Sequence, residues 1–140
     1  MILPEQFVNG TETGEQTALF AWAAIAAKDY PQLKWLVHIP NENQHKKIAQ
    51  GVRAGVPDVM LPVVRYNEND SPQGGLFIEM KREIYRNRKN GGRSDDQVLW
   101  AEYLQSAGYQ YALCYNWMEA RDALLKYLGV DNAPTSSHGQ

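Results

Sequence analysis

The chain has one cysteine, Cys114, so no disulfide can form within it, and a reducing compartment is the expectation. No apolar run approaches the ~20 residues that a membrane-spanning helix needs. The opening residues carry Glu5 and no basic cluster, unlike a secretory leader. Together these absences predict a cytoplasmic protein with no membrane partner. An excess of positive charge is missing too. Fourteen Lys and Arg against 16 Asp and Glu give a formal net charge of -2, which argues against a uniformly basic nucleic-acid binder and directs attention to local clusters. His38 and His45 have no Cys or further His nearby in the pattern, so a zinc site is not supported. No internal repeat or low-complexity segment is evident. What is present is a globular composition, 44% hydrophobic over 140 residues, which is a single-domain length with enough apolar surface for a core.

Two stretches organise the rest. Gly55-Val56-Pro57-Asp58-Val59-Met60-Leu61 and Gly75-Leu76-Phe77-Ile78-Glu79-Met80-Lys81 are short apolar runs interrupted by charge and bounded by Gly and Pro. Both read as strands. Arg65 to Gly74 between them is polar and reads as a hairpin loop. Antiparallel pairing about the middle of that loop places Asp58 opposite Glu79, with Glu79 and Lys81 on one face of their strand. Two carboxylates at one point form a hard-oxygen site suited to Mg²⁺ or Mn²⁺ with waters retained. A neighbouring Lys can orient an attacking water and balance charge on a phosphate, so the chemistry indicated is phosphodiester hydrolysis. On spacing alone, ordinary surface charges on a solvated hairpin explain the pattern equally well; the flanking apolar runs and the Gly-Val-Pro lead-in favour a site.

Elsewhere the chain reads as follows. The first ten or so residues are a loose lead-in. Thr13-Gly14-Glu15-Gln16 fits a capping box with Thr13 as N-cap, opening a helix to about Lys28 with Leu19, Trp22 and Ala26 as its buried stripe. Glu15 lies on that inward face, or else only complements the helix dipole. Trp35 to Ile39 reads as a strand, and Asn41 opens a short helix to about Gln50. Lys81 to Arg93 is basic: Arg82, Arg86, Arg88, Lys89 and Arg93 accompany Lys81 against one acid, Glu83, with Tyr85 interleaved and Asn90-Gly91-Gly92 as a flexible turn. Beside two carboxylates, such a segment would supply phosphate contacts to DNA, and Tyr85 could stack on a base. Ser94-x-x-Gln97 opens a second helix to about Ala107, its core side carried by Val98 or Leu99 with Trp100, Tyr103 and Leu104. Gln97 either satisfies the helix start or reaches toward Lys81. Tyr111 to Tyr115 is a strand whose Cys114 reads as a core residue, not a nucleophile. Asn116-x-x-Glu119 opens a last helix with Ala120, Ala123, Leu124, Tyr127 and Leu128 inward. Residues 129–140 read as a disordered tail.

Pro57-Asp58 followed by Glu79-Met80-Lys81 resembles the Pro-Asp…Asp/Glu-x-Lys nuclease superfamily, and specifically its virus-type replication-repair nuclease (VRR-NUC) branch. Asp95-Asp96-Gln97-Val98-Leu99-Trp100 and Gly108-Tyr109 add to the likeness, which spans roughly Glu15 to Leu128. The resemblance implies an α/β fold with a restriction-endonuclease-like αβββαβ core, a central mixed four-stranded sheet flanked by helices, in one stand-alone domain (1–140, core about 13–128). It implies Mg²⁺ or Mn²⁺ held by Asp58, Glu79, the Met80 backbone carbonyl and Glu15, with Lys81 and Gln97 completing the catalytic set and His38 in support. It further implies DNA as partner, engaged by Arg82, Arg86, Arg88, Lys89 and Arg93, a homodimer as working unit, preference for branched DNA or four-way junctions, and no nucleotide cofactor. Rival readings are a non-catalytic DNA-binding subunit and a restriction-like endonuclease. The complete Asp58, Glu79, Lys81 and Gln97 set weighs against the first. The absence of a spare recognition module weighs against the second.

Overall fold

The computed structural model describes residues 3–40, 50–66 and 68–130. The helix expected from Asn41 to Gln50, and His45 with it, lies outside the described residues. Helix α1 (Glu12–Ala26) is capped by Thr11, whose hydroxyl accepts from the Gly14 N–H at 3.0 Å. The cap is therefore Thr11 and not Thr13, and Glu12 belongs to the first helical turn. The residues ahead of it are not a loose lead-in. Pro4–Phe7 forms a 3-10 turn in which Pro4 is buried and Phe7 packs on the core.

Four strands make the central sheet in the order β1 (Val37–His38), β2 (Val59–Leu61), β5 (Leu76–Met80) and β6 (Gln110–Cys114). β1–β2 and β2–β5 are antiparallel, whereas β5–β6 is parallel. The parallel pair needs a crossover, and helix α2 (Asp95–Ser106) provides it. Helix α3 (Trp117–Tyr127) completes the set, so a mixed four-stranded sheet is flanked by three helices, as the sequence predicts.

Three elements depart from their sequence-based form. Trp35 closes a 3-10 turn and is exposed, so β1 shrinks to two residues, and buried Leu36 anchors it. Arg65–Gly74 is not a plain loop but a second ribbon, β3 (Arg65–Tyr66) with β4 (Pro72–Gln73). On α2 Leu104 is buried as expected, together with Ala101, whereas Leu99 and Tyr103 stand in solvent.

Every residue of β5 is buried. Alternation sends Leu76, Ile78 and Met80 into the apolar cluster with Ala18, Leu19, Trp117 and Leu124. Phe77 and Glu79 face the other way, toward the α2 side, where Phe77 meets the Tyr109 ring edge-on. An acid on that second face of a fully buried strand is the anomaly around which the candidate site is built.

Candidate active site

Asp58 reaches the site because the residues before it are pinned. Gly55 has φ +91 and lies so close to α2 that a Cβ there would sit 2.6 Å from the Asp96 backbone. Only glycine combines that conformation with that approach. The Trp100 indole N–H donates to the Ala54 carbonyl at 3.1 Å, and Pro57 is fully buried. Asp58 then enters the sheet. Its carbonyl accepts from the Ile39 N–H at 2.7 Å and lies 2.9 Å from His38 Nδ1. A carbonyl can only accept, so Nδ1 carries the proton. His38 thus holds the Asp58 backbone.

The β2–β5 register pairs Val59 with Ile78, so the next step outward sets Asp58 opposite Glu79. Asp58 Oδ2 accepts from the Met80 N–H at 2.8 Å. Glu79 is 1% exposed, and its Oε1 is buried without a hydrogen-bond partner among the described residues. Burial, and then the adjoining Asp58 carboxyl, which lies close enough to share a proton with it, push the Glu79 carboxyl up to about 10. Two carboxylates forced together out of water can be reconciled by a proton or by a cation.

Gln97 satisfies the helix start, and its side chain reaches Glu79 and not Lys81. Its Oε1 accepts from the Ser94 N–H at 2.9 Å while Ser94 Oγ accepts from the Gln97 N–H at 3.2 Å, a reciprocal capping box. Its Nε2 donates to Glu79 Oε2 at 3.3 Å. The start of α2 is thereby tied to the buried acid. Lys81 is half-buried, its N–H donating to the Cys114 carbonyl at 2.9 Å, and its charge opposes the upward shift of Glu79.

The two acids of the first helix exchange places relative to expectation. Glu15 is buried, but its Oε1 accepts the Trp117 N–H at 2.8 Å, satisfying a buried backbone donor at the start of α3. Glu12, one turn earlier, is the one whose carboxyl feels Asp58, Lys81 and Arg82; burial first, and Asp58 after it, raise its pKa. The sequence signal for Glu12 was available, since i and i+3 share a helix face. The Thr13-x-x-Gln16 spacing masks it, because it sets the helix start two residues past Thr11.

Asp58 and Glu79 bring two carboxylates together, and no three Asp, Glu, His or Cys side chains converge as a metal-holding group among the described residues. The donor set fits a hard divalent ion that keeps much of its water, such as Mg²⁺, better than a fully protein-ligated one. The orphaned Glu79 oxygen supports that fit.

The basic segment is more ordered than a loop. Asn90 and Gly91 turn through positive φ, and a Cβ on Gly91 would strike the Tyr115 hydroxyl oxygen, so this turn is specified by close packing and not merely flexible. Arg86 pairs with Glu83 and Glu119 and lies over the Tyr115 ring. Arg82 donates to the Gly10 carbonyl at 3.1 Å, Arg88 covers Tyr85, and Arg93 covers Tyr111. Arg88, Lys89 and Arg93 line one shallow depression with Tyr85.

No family model matches the sequence, and no curated protein matches it. Among solved structures, a protein described as a VRR_NUC domain protein superposes with a TM-score of 0.68 at 24% identity, over 86% of this chain and 89% of that one. The fold is therefore a VRR-NUC-type fold.

Proposed function

We propose that this chain is a divalent-metal-dependent nuclease of the VRR-NUC type, hydrolysing DNA phosphodiester bonds. One observation carries the reading: adjacent antiparallel strands press Asp58 against a buried Glu79 whose Oε1 lacks a hydrogen-bond partner. A fold alone does not imply an activity, so the argument rests on these side chains. Asp58 and Glu79 would hold Mg²⁺ or Mn²⁺, with the Met80 carbonyl as a third oxygen and Glu12 in electrostatic reach. Such an ion, when bound, stabilises charge on a phosphoryl group and acidifies a bound water. Lys81 positions the attacking water and offsets the charge gathering on the phosphorane. Gln97 fixes the Glu79 carboxyl, while His38 and the Met80 N–H fix Asp58. The working unit in this reading is a homodimer, because one domain with one basic segment grips a duplex poorly and two copies set a distance between two sites. Selectivity for branched DNA would follow from that distance.

The test is a cleavage assay on single strands, duplexes, flaps and four-way junctions in EDTA, Mg²⁺ and Mn²⁺, with mass from light scattering. Metal-dependent cutting that prefers junctions, by a dimer, is expected. No cutting of any substrate with either metal overturns the reading. Equal rates on all substrates, or a monomer, remove its structure-specific part.

A further inference from the structure

A second concavity lies away from the paired acids. It is a cavity of about 390 Å³ at the free edge of β6, between the β3–β4 ribbon and α3. Its mouth carries Arg65, Tyr66 and Lys126. The walls are fixed by polar contacts. Gln110 Nε2 donates to Gln73 Oε1 at 2.6 Å, joining β6 to the ribbon, and the Tyr127 hydroxyl donates to the Val63 carbonyl and lies 3.3 Å from the Gln73 carbonyl, joining α3 to it. Tyr66 projects from this braced ribbon with 63% of its surface exposed. Neither Arg65 nor Lys126 forms an ion pair among the described residues, and Asp122, one turn before Lys126, is engaged by Arg121. Two unneutralised cations beside an exposed aromatic ring, in a chain with more acids than bases, match a phosphate joined to a planar base.

We propose that this cavity holds one unpaired nucleotide of a nucleic-acid strand, its phosphate between Arg65 and Lys126 and its base against Tyr66. Tyr111 lines the cavity and also meets the Arg93 guanidinium of the basic segment, so the two features share one residue of the β6 edge. Leu76, in the cavity wall, shares β5 with Glu79 but faces the opposite side of the sheet, so a strand seated here reaches the paired acids by passing round the β6 edge. The inference rests on the nucleic-acid reading above and adds to it where the unpaired strand sits.

Binding of a labelled thymidine 20-mer and of a matched duplex is measured by fluorescence anisotropy in EDTA, for wild type, Tyr66→Ala, Lys126→Ala and Arg65→Gln. Tyr66→Ala is expected to weaken single-strand binding at least about fivefold, with a smaller effect on the duplex. Lys126→Ala with Arg65→Gln should lower the magnitude of the single-strand salt slope by about 0.7, the value for the one phosphate they hold. Lys126 is exposed, so its variant keeps the fold even if Arg65→Gln does not. Unchanged affinity and slope in Tyr66→Ala and Lys126→Ala overturn the inference. Cleavage by wild type alongside that result would leave the nuclease reading standing. Weakened binding in both variants without cleavage by wild type would sink the nuclease reading and leave the cavity's role intact.

Discussion

A glutamic acid that is 1% exposed and adjoins an aspartate must take up a proton when the chain folds without a cation. Its pKa is raised, so its contribution to stability is complete below the unfolded value near 4.3 and is lost as pH rises toward about 10. In EDTA at neutral pH, Glu79→Gln should therefore stabilise the fold, by about 1–3 kcal/mol, because the amide is neutral without proton uptake. Wild type is expected to melt higher with Mn²⁺ and to cleave DNA, and the same variant should lose both effects. Thermal melts with and without Mn²⁺ decide; a metal-induced shift that survives in Glu79→Gln and Asp58→Asn excludes these acids as ligands. The two helix acids should separate in the opposite sense. Glu15→Ala leaves the buried Trp117 N–H unsatisfied and should cost about 1–3 kcal/mol, whereas Glu12→Gln should leave stability near wild type and weaken Mn²⁺ binding. Denaturant titration and calorimetry on the two variants distinguish them, and equal stability losses would refute the assignment. The placing of Asp58 opposite Glu79, and of Gln97 in a capping box, was legible because strand alternation and a capping box have fixed geometry over a few residues. Glu12 was not, because Thr11 and Thr13 offer equivalent hydroxyls two positions apart, and the spacing to Gln16 fits the wrong one.

Among the elements, the segment after β5 and the helix α2 carry the next expectations. Arg86 is engaged by Glu83 and Glu119, so its guanidinium is committed within the molecule. Replacing Arg86, Arg88 and Lys89 together should lower the magnitude of the duplex salt slope by up to about 1.8, two contacts at ~0.9, and not by the 2.7 or so of three. Arg86→Ala alone should leave the slope unchanged. A drop of about 0.9 in that single variant would show that Arg86 swings out to DNA. On α2, Leu99→Gln should change stability by less than about 0.5 kcal/mol, since Leu99 is 61% exposed. A loss of several kcal/mol on chemical denaturation would mean that this face is covered. Periodicity failed on α2 because Leu99, Trp100, Tyr103 and Leu104 span more than one face, and hydrophobicity does not say which the sheet receives. The antiparallel pairing of β2 with β5, by contrast, followed from two strands and a polar connection.

At the scale of the whole molecule, Cys114 reports on cooperativity. It is 3% exposed in β6, and burial pushes its thiol up to about 12. Thiolate is the reactive form, so a disulfide reagent at pH 8 should not label the native protein and should label it fully on unfolding, where the pKa returns to ~8.5. The labelling midpoint should coincide with that of the tryptophan signal. Labelling at low denaturant, ahead of the tryptophan change, would reveal that the β6 edge opens separately. Mass measurements test the proposed dimer, for which the sequence pattern names no interface: four Trp and eight Tyr supply both core and surface, and pattern does not sort them.

The bond from the Trp117 N–H to Glu15 joins residues 102 apart and gives the chain an order of events during synthesis. Helix α1 leaves the ribosome first, with Ala18, Leu19 and Ala23 on a face that has no cover. At ~5–20 residues per second, α3 follows roughly 5–20 seconds later. Throughout that interval the Glu15 side chain lacks the Trp117 N–H, and the apolar face of α1 lacks the helix that covers it. The arrival of α3 supplies both at once, so the first helix to emerge is completed only by the last.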